Sequence, residues 1–353
     1  MSRNKSVDVA RALLILYIVT MVHAAYWLNI GSSPLRSWGL FEMPAIFFLA
    51  GFTYSLTAPA SPVSLLSMQY LVYCRSKAAR LLPPYWAYAA VCLVIALMSV
   101  PGSTTSDVVA AYALAWLNPF SYGKNHSVSM LNYHLWFVAP FLCIAILFPV
   151  FQHAHRILGA IKIEFSWVGL LFATVGLTLL QRLLNIDMTF VKTMMFYAAW
   201  SALGYAMGSG YRIPQRVALL LLTTSLGLLV FAGLLGQPVI DMQKNKLPPN
   251  AFFFLFSSAW MAVFIIASPK VPSHLIDRLY EAWWLKPFRR YGYSIYMWQG
   301  VSYTLVTMAG GTYGWPHGVR LVAAVMLTIA LGIAASPLEN VGRRKRAELA
   351  QIC

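Results

Sequence analysis

One side chain in the sequence is placed for acid–base chemistry inside an apolar setting. His23 interrupts a largely apolar run from Ala12 to Leu28. Imidazole titrates closest to neutral pH and is the commonest general acid or base. An ionisable group inside an apolar span of membrane length marks a functional position by default. The twelve-residue step from Arg11 to His23 rises about 18 Å along a helix and sets His23 in the outer half of its span. Glu42 opens the next apolar run and is the acid best placed to meet it. A carboxylate that orients an imidazole and supports its protonated form is a common general-base arrangement. Two plainer readings stand beside these: a neutral His23 hydrogen-bonded between helices, and a Glu42 that faces water or pairs with Arg36.

Other polar groups cluster farther along. Arg75, Lys77 and Arg80 precede Leu81-Leu82-Pro83-Pro84-Tyr85-Trp86. Cations at that spacing could clamp the phosphates of a soluble cofactor or simply anchor a span at the cytoplasmic face. His134 and Trp136 stand where a later span enters from outside, as contacts for an acceptor or as interfacial anchors. Tyr293, Ser294, Tyr296 and Gln299 put polar groups along one late apolar stretch, where interhelical hydrogen bonding is the plainer role. Cys74, Cys92, Cys143 and Cys353 show no paired spacing, so no metal site is expected. There is no Walker loop and no G-x-S-x-G, and His23 lacks an Asp five residues later. A nucleotide-hydrolysing engine is therefore not expected.

The elements that must hold these groups follow from composition. The 353 residues are 59% hydrophobic and 10% charged, against roughly 25% charged in an ordinary soluble domain. Most of the outer surface must face lipid. About 20 helical residues cross a bilayer, and ten stretches qualify: 12–30, 37–57, 84–100, 134–152, 166–181, 193–209, 217–236, 251–268, 291–310 and 318–337. The expected fold is an all-α polytopic membrane helix bundle of about ten transmembrane helices, one integral-membrane domain over 1–353 with no appended soluble domain. The net charge of +16 invites a nucleic-acid reading, but the positions of the charges decide against one. With a cytoplasmic N-terminus, nineteen Lys and Arg fall in cytoplasmic segments and seven on the other side. That bias is the positive-inside rule, and it places both termini in the cytoplasm. The segment 101–133 is the longest outside, and Ser106 could cap a short interfacial helix there, as an acceptor-binding lid or a structural cover.

The ordered segments resemble the acyltransferase-3 family of multi-pass membrane acyltransferases, over nearly the whole chain. Asp8-x-x-Arg11 followed by an apolar run to His23 is similar to the family's opening. Met43-Pro44-Ala45-Ile46-Phe47-Phe48-Leu49-Ala50-Gly51-Phe52 is similar to its Met-Pro-Phe-rich segment. Lys77 and Arg80 before Pro84-Tyr85-Trp86, His134-Leu135-Trp136-Phe137 through Phe148-Pro149, and Tyr291-Gly292-Tyr293-Ser294-Ile295-Tyr296 complete the series. The resemblance implies acyl transfer, usually of acetyl, from acyl-CoA to a sugar hydroxyl of a glycan or glycolipid. It implies His23 as the essential histidine, with Arg11, Lys77 and Arg80 as its basic partners near the CoA. Ala12 and Ala50 replace the usual Gly and Ser, and Gln299 stands where many relatives have His. The Glu that some relatives carry after Leu-Trp-Phe is absent at Val138-Ala139-Pro140-Phe141, which points to the shorter branch.

The family's commonest spacing leaves ten residues between Arg and His, and here there are eleven. Twelve steps of about 100° rotate His23 roughly 120° from Arg11, whereas eleven leave the two nearly aligned. Either the two do not share a face, or a single π bulge absorbs the extra residue. The expected working arrangement has cytoplasmic acetyl-CoA held at the inner face by Arg80, Lys77 and Arg75, with Arg11 at the channel entrance. His23, oriented by Glu42, deprotonates the acceptor hydroxyl for direct attack on the thioester, with a transient acyl-histidine as the alternative. His134, Trp136 and Gln299 are the expected acceptor contacts. The expected location is the plasma membrane (a bacterial inner membrane), and no nucleic-acid partner is expected. The rivals are a non-enzymatic glycolipid transporter or flippase, and the same enzyme class with an amine acceptor or a succinyl donor.

Overall fold

The computed structural model describes residues 4–59, 61, 63–100, 105–158, 176, 179–180, 183 and 187–339. Among the described residues the regular elements are helices, with no strand. In chain order they are α1 (Lys5–Tyr17), α2 (His23–Trp27), α3 (Ser33–Ser37), α4 (Glu42–Thr57), α5 (Met68–Met98), α6 (Ser106–Leu117) and α7 (Val138–Leu158). These are followed by α8 (Thr189–Gly208), α9 (Gln215–Leu234), α10 (Gln243–Lys246), α11 (Ala251–Ala267), α12 (Ser273–Glu281), α13 (Lys286–Thr312) and α14 (His317–Ala335). A π turn, Ile18–Val22, joins α1 to α2 without a break.

Among the described residues, seven helical segments are long and apolar enough to cross a membrane: Lys5–Trp27, Pro34–Thr57, Met68–Met98, Leu135–Ile157, Gln215–Leu234, Ala251–Lys270 and His317–Ala335. About ten were expected. The stretches 193–209 and 291–310 do form helices of spanning length, α8 and α13, but these are not apolar enough to stand with the seven. Their polar groups are turned inward. α8 buries Lys192, Thr193 and Ser201, and α13 buries Ser294, Gln299, Ser302 and Thr304. A helix wrapped by protein has no need to be apolar all round. The opposite case is α9, which exposes Leu219, Leu220, Leu228, Val230 and Phe231. The stretch 166–181 lies almost wholly outside the described residues.

The chain forms two compact units. One comprises Met1–Leu14, Gly31–Leu65 and Cys143–Glu281. Its tightest packing joins α4 to α8. A Cβ on Gly51 would strike the Ser201 carbonyl, and one on Gly204 would strike the Phe48 carbonyl. Small residues here let two backbones meet where apolar solvent offers no drive to associate. The Ser201 hydroxyl donates to the Phe47 carbonyl at 2.9 Å, and Phe47 stacks on Tyr197. The Met-Pro-Phe-rich segment thus forms the face on which α8 lies.

The other unit comprises Ile15–Ile30, Leu66–Leu142 and Ala282–Cys353. Here α13 packs along α14, with Gly332 set against the Ile295 backbone. Tyr291 leaves helical geometry at φ −125° and ψ 23°, kinking α13. The Ser294 N–H beyond the kink donates to the buried Glu339 carboxylate at 2.7 Å. The segment 105–133 folds onto α5: the Tyr85 hydroxyl donates to the Trp116 carbonyl at 2.7 Å, and the Trp86 indole donates to the Leu117 carbonyl at 3.1 Å. The cap of α6 is Thr105 rather than Ser106, because Thr105 holds the extended backbone and accepts from the Val108 N–H.

Candidate active site

His23 is the first residue after the π turn, and its N–H donates to the Ile18 carbonyl five residues back. This wide turn takes up one residue between Arg11 and His23, one of the two alternatives that their twelve-residue separation left open. By helical geometry the rotation from Arg11 to His23 falls from about 120° to about 20°. The widened turn is pinned from the side: the fully buried Tyr303 donates its hydroxyl to the Val19 carbonyl at 2.7 Å.

Aromatic rings gather around the half-buried His23. Its imidazole stacks on Trp27 at 4.8 Å, one helical turn on. His134 lies 6.2 Å away and Tyr296 5.9 Å away, ring centre to ring centre. Tyr88 meets His134 edge-on at 5.5 Å, and Tyr296 does the same. His134 is 1% exposed, and its Nε2 lies 2.9 Å from the Met297 carbonyl. A carbonyl only accepts, so Nε2 carries the proton, and Nδ1 of the neutral ring presents a lone pair. That Nδ1 is buried with no hydrogen-bond partner among the described residues. Gly300 makes this closeness possible, since a Cβ there would strike the Tyr88 hydroxyl and the His134 ring.

The other expected acceptor contacts divide. Gln299 is fully buried, and both its amide oxygen and nitrogen lack partners among the described residues. It stands on the face of α13 that also carries Tyr296 and Tyr303, three residues before and four after. Trp136 is half-buried in the short 3-10 turn Leu135–Phe137 beside His134.

Of the basic residues, Arg75, Lys77 and Arg80 lie on the continuous helix α5, with Arg75 and Arg80 exposed and Lys77 half-buried. Helical rotation sets Lys77 and Arg80 about 60° apart and turns Arg75 about 140° from Arg80. Lys77 sits over the Tyr73 ring at 4.9 Å. Arg11 belongs to the other unit, where Asp8 holds its guanidinium at 3.2 Å. Glu42 is also in that unit. It is fully buried, and its Oε1 accepts from Lys246 Nζ at 2.6 Å. Its Oε2 is buried without a hydrogen-bond partner among the described residues.

The sequence model of one family, described as an acyltransferase domain, matches residues 4–336. The chain belongs to the acyltransferase-3 family. No curated protein and no solved structure matches it. Acyltransferase-3 membership together with the apolar helices makes the protein a membrane acyltransferase. The acyltransferase-3 segments read from the sequence now have physical positions. Asp8 steadies Arg11, the Met-Pro-Phe segment receives α8, and the Tyr-Ser-Ile-Tyr segment carries Tyr296 to His23.

Sequence reasoning missed three neighbours in this acyltransferase. Trp27 follows His23 by four residues, a spacing that puts both on one helix face and was open to detection. Tyr88 and Lys246 meet their partners only through long-range packing.

Proposed function

We propose that this acyltransferase moves an acyl group, most simply acetyl, from cytoplasmic acyl-CoA to a sugar hydroxyl of a cell-surface polysaccharide or lipid-linked glycan. The observation that carries the reading is His23 itself. It is a half-buried imidazole directly after a π turn, inside a helix of membrane-spanning length and against a second histidine. Isolated π turns within helices are frequent at functional sites.

In this reading His23 takes the proton of the acceptor hydroxyl as its oxygen attacks the thioester carbonyl. The tetrahedral intermediate collapses, the C–S bond breaks, and the departing CoA thiolate recovers the proton from the imidazolium. The products are an O-acyl sugar and free CoA. Lys77 and Arg80, on neighbouring faces of α5, hold CoA phosphates, with Arg75 contributing from farther round the helix. Arg11, steadied by Asp8, marks the entrance. Glu42, its charge balanced by Lys246, is the supporting carboxylate in this reading. His134, Trp136 and Gln299 line the acceptor side. The sorting of basic residues supports cytoplasmic termini in a plasma membrane. A cytoplasmic donor then serves an external acceptor without charged CoA crossing lipid.

The test uses purified full-length protein in nanodiscs, acetyl-labelled CoA and a panel of lipid-linked glycans. The expected product is label in the glycan, released by alkali as an ester. Label that stays in CoA with every acceptor, in protein that remains folded, would overturn the reading.

A further inference from the structure

Gln299 is an expensive residue for its place. The side chain is fully buried, and both its Oε1 and its Nε2 lack hydrogen-bond partners among the described residues. A Leu or Met would fill similar volume on α13 without an unmatched donor and acceptor, and buried polar groups are almost always paired. The surroundings are those of the candidate site. Tyr296, three residues before, faces His23 at 5.9 Å. Tyr303, four residues after, meets Trp27 at 4.9 Å and bonds the Val19 carbonyl. Gln299 lies between them on the same helical face. A second unmatched atom lies on a ring that contacts both Trp27 and Tyr296: Nδ1 of His134, whose Nε2 proton is committed to the Met297 carbonyl.

These three atoms define what would satisfy them. Gln299 needs one donor and one acceptor side by side, and His134 Nδ1 needs a donor. A thioester offers acceptors only. A secondary amide, as in the pantetheine arm, points its C=O and N–H in opposite directions and so meets one atom of the Gln amide, not both. Two adjacent hydroxyls meet both: one donates to Oε1 while its neighbour accepts from Nε2, and either can also donate to a nearby imidazole nitrogen. We infer that Gln299, with Nδ1 of His134, is a recognition site for a vicinal diol of the acceptor sugar, presenting one ring edge to His23. This deepens the proposed function and rests on its sugar acceptor. Gln299 is then the specificity determinant, where a histidine could match only one of the two hydroxyls as donor or acceptor at a time.

The test is saturation-transfer NMR on the full chain in nanodiscs. The probes are methyl β-glucopyranoside, methyl β-galactopyranoside, methyl α-mannopyranoside and their monodeoxy forms. At least one parent glycoside is expected to bind, with Kd rising tenfold or more on loss of either hydroxyl of one adjacent pair. Gln299→Leu is expected to erase that discrimination while melting at or above the wild-type temperature. Should Gln299→Leu fail to fold, Gln299→Met, which keeps the side-chain length and loses both donor and acceptor, must weaken binding at least threefold. No binding of any parent glycoside, or deoxy forms that bind equally well, overturns the inference. Thioester consumption from acetyl-CoA, compared between wild type and His23→Ala, separates the two readings. Diol binding without His23-dependent consumption sinks the transferase and leaves the site; consumption without diol selectivity does the reverse.

Discussion

Removing Lys246 exposes what Glu42 is for. The pair is close, 2.6 Å from Nζ to Oε1, with side chains only 7% and 1% exposed. At an effective dielectric near 20, charges at that distance attract by about 6 kcal/mol. Desolvation of both ions cancels much of this, so the pair as a whole contributes little net stability. The asymmetry is what an experiment can read. Lys246→Met leaves a buried carboxylate without its cation and should destabilise by about 3–5 kcal/mol, a fall in apparent Tm on the order of 5–10 °C. Glu42→Gln should cost a similar amount by stranding the ammonium. The double variant Glu42→Gln/Lys246→Met strands nothing and should melt within about 2 °C of wild type, a coupling of at least about 4 kcal/mol. The assay is tryptophan-fluorescence melting in one detergent, followed by acetyl transfer on the same samples. If Glu42 supports the chemistry, the double variant recovers its stability but keeps under a tenth of the transfer rate. Single-variant losses that simply add, to within about 0.5 kcal/mol, would refute the ion-pair reasoning. Recovery of transfer together with stability would reduce Glu42 to a structural anchor.

Other outcomes follow from single features. Deleting one residue of the π turn leaves eleven regular steps from Arg11 to His23 and preserves their shared face, so transfer should fall less than tenfold. Inserting an alanine within α1 turns the face by about 100° and should abolish transfer without preventing membrane insertion. Gly204→Leu drives a side chain into the Phe48 carbonyl and should cost at least about 3 kcal/mol as overpacking that α4 cannot relieve, read as loss of folded protein on size exclusion. Arg80→Ala and Lys77→Ala should each raise the KM for acetyl-CoA several-fold and flatten its salt dependence, with kcat nearly constant. Arg75→Ala, turned away on the same helix, should do less.

Local spacing made some of this legible in the sequence. The twelve-residue step between Arg11 and His23 called for either a lost face or a wide turn, and Ile18–Val22 is a π turn. The positions of α4 and α7 followed from their apolar runs, whereas α5 begins at Met68, sixteen residues before its expected span 84–100. What failed depended on burial and long-range contact. Composition could not say that α8 and α13 turn their polar residues inward, and so could not fix the number of spans. The partner of Glu42 is 204 residues away, and Arg36 was the nearer guess. The meeting of His134, Tyr88 and Tyr296 beside His23 is set by how α5, α13 and the Leu135–Phe137 turn pack, which no periodicity encodes.

The central claim is that His23 is the base for acyl transfer. Its most direct measurement is the single-turnover rate of acetyl transfer from labelled acetyl-CoA to a glycan acceptor, comparing wild type with His23→Ala at equal folded protein. The expected loss is on the order of 10²–10⁴-fold in kcat, with the KM for acetyl-CoA within threefold. A His23→Ala enzyme that transfers acetyl within threefold of the wild-type rate would contradict it.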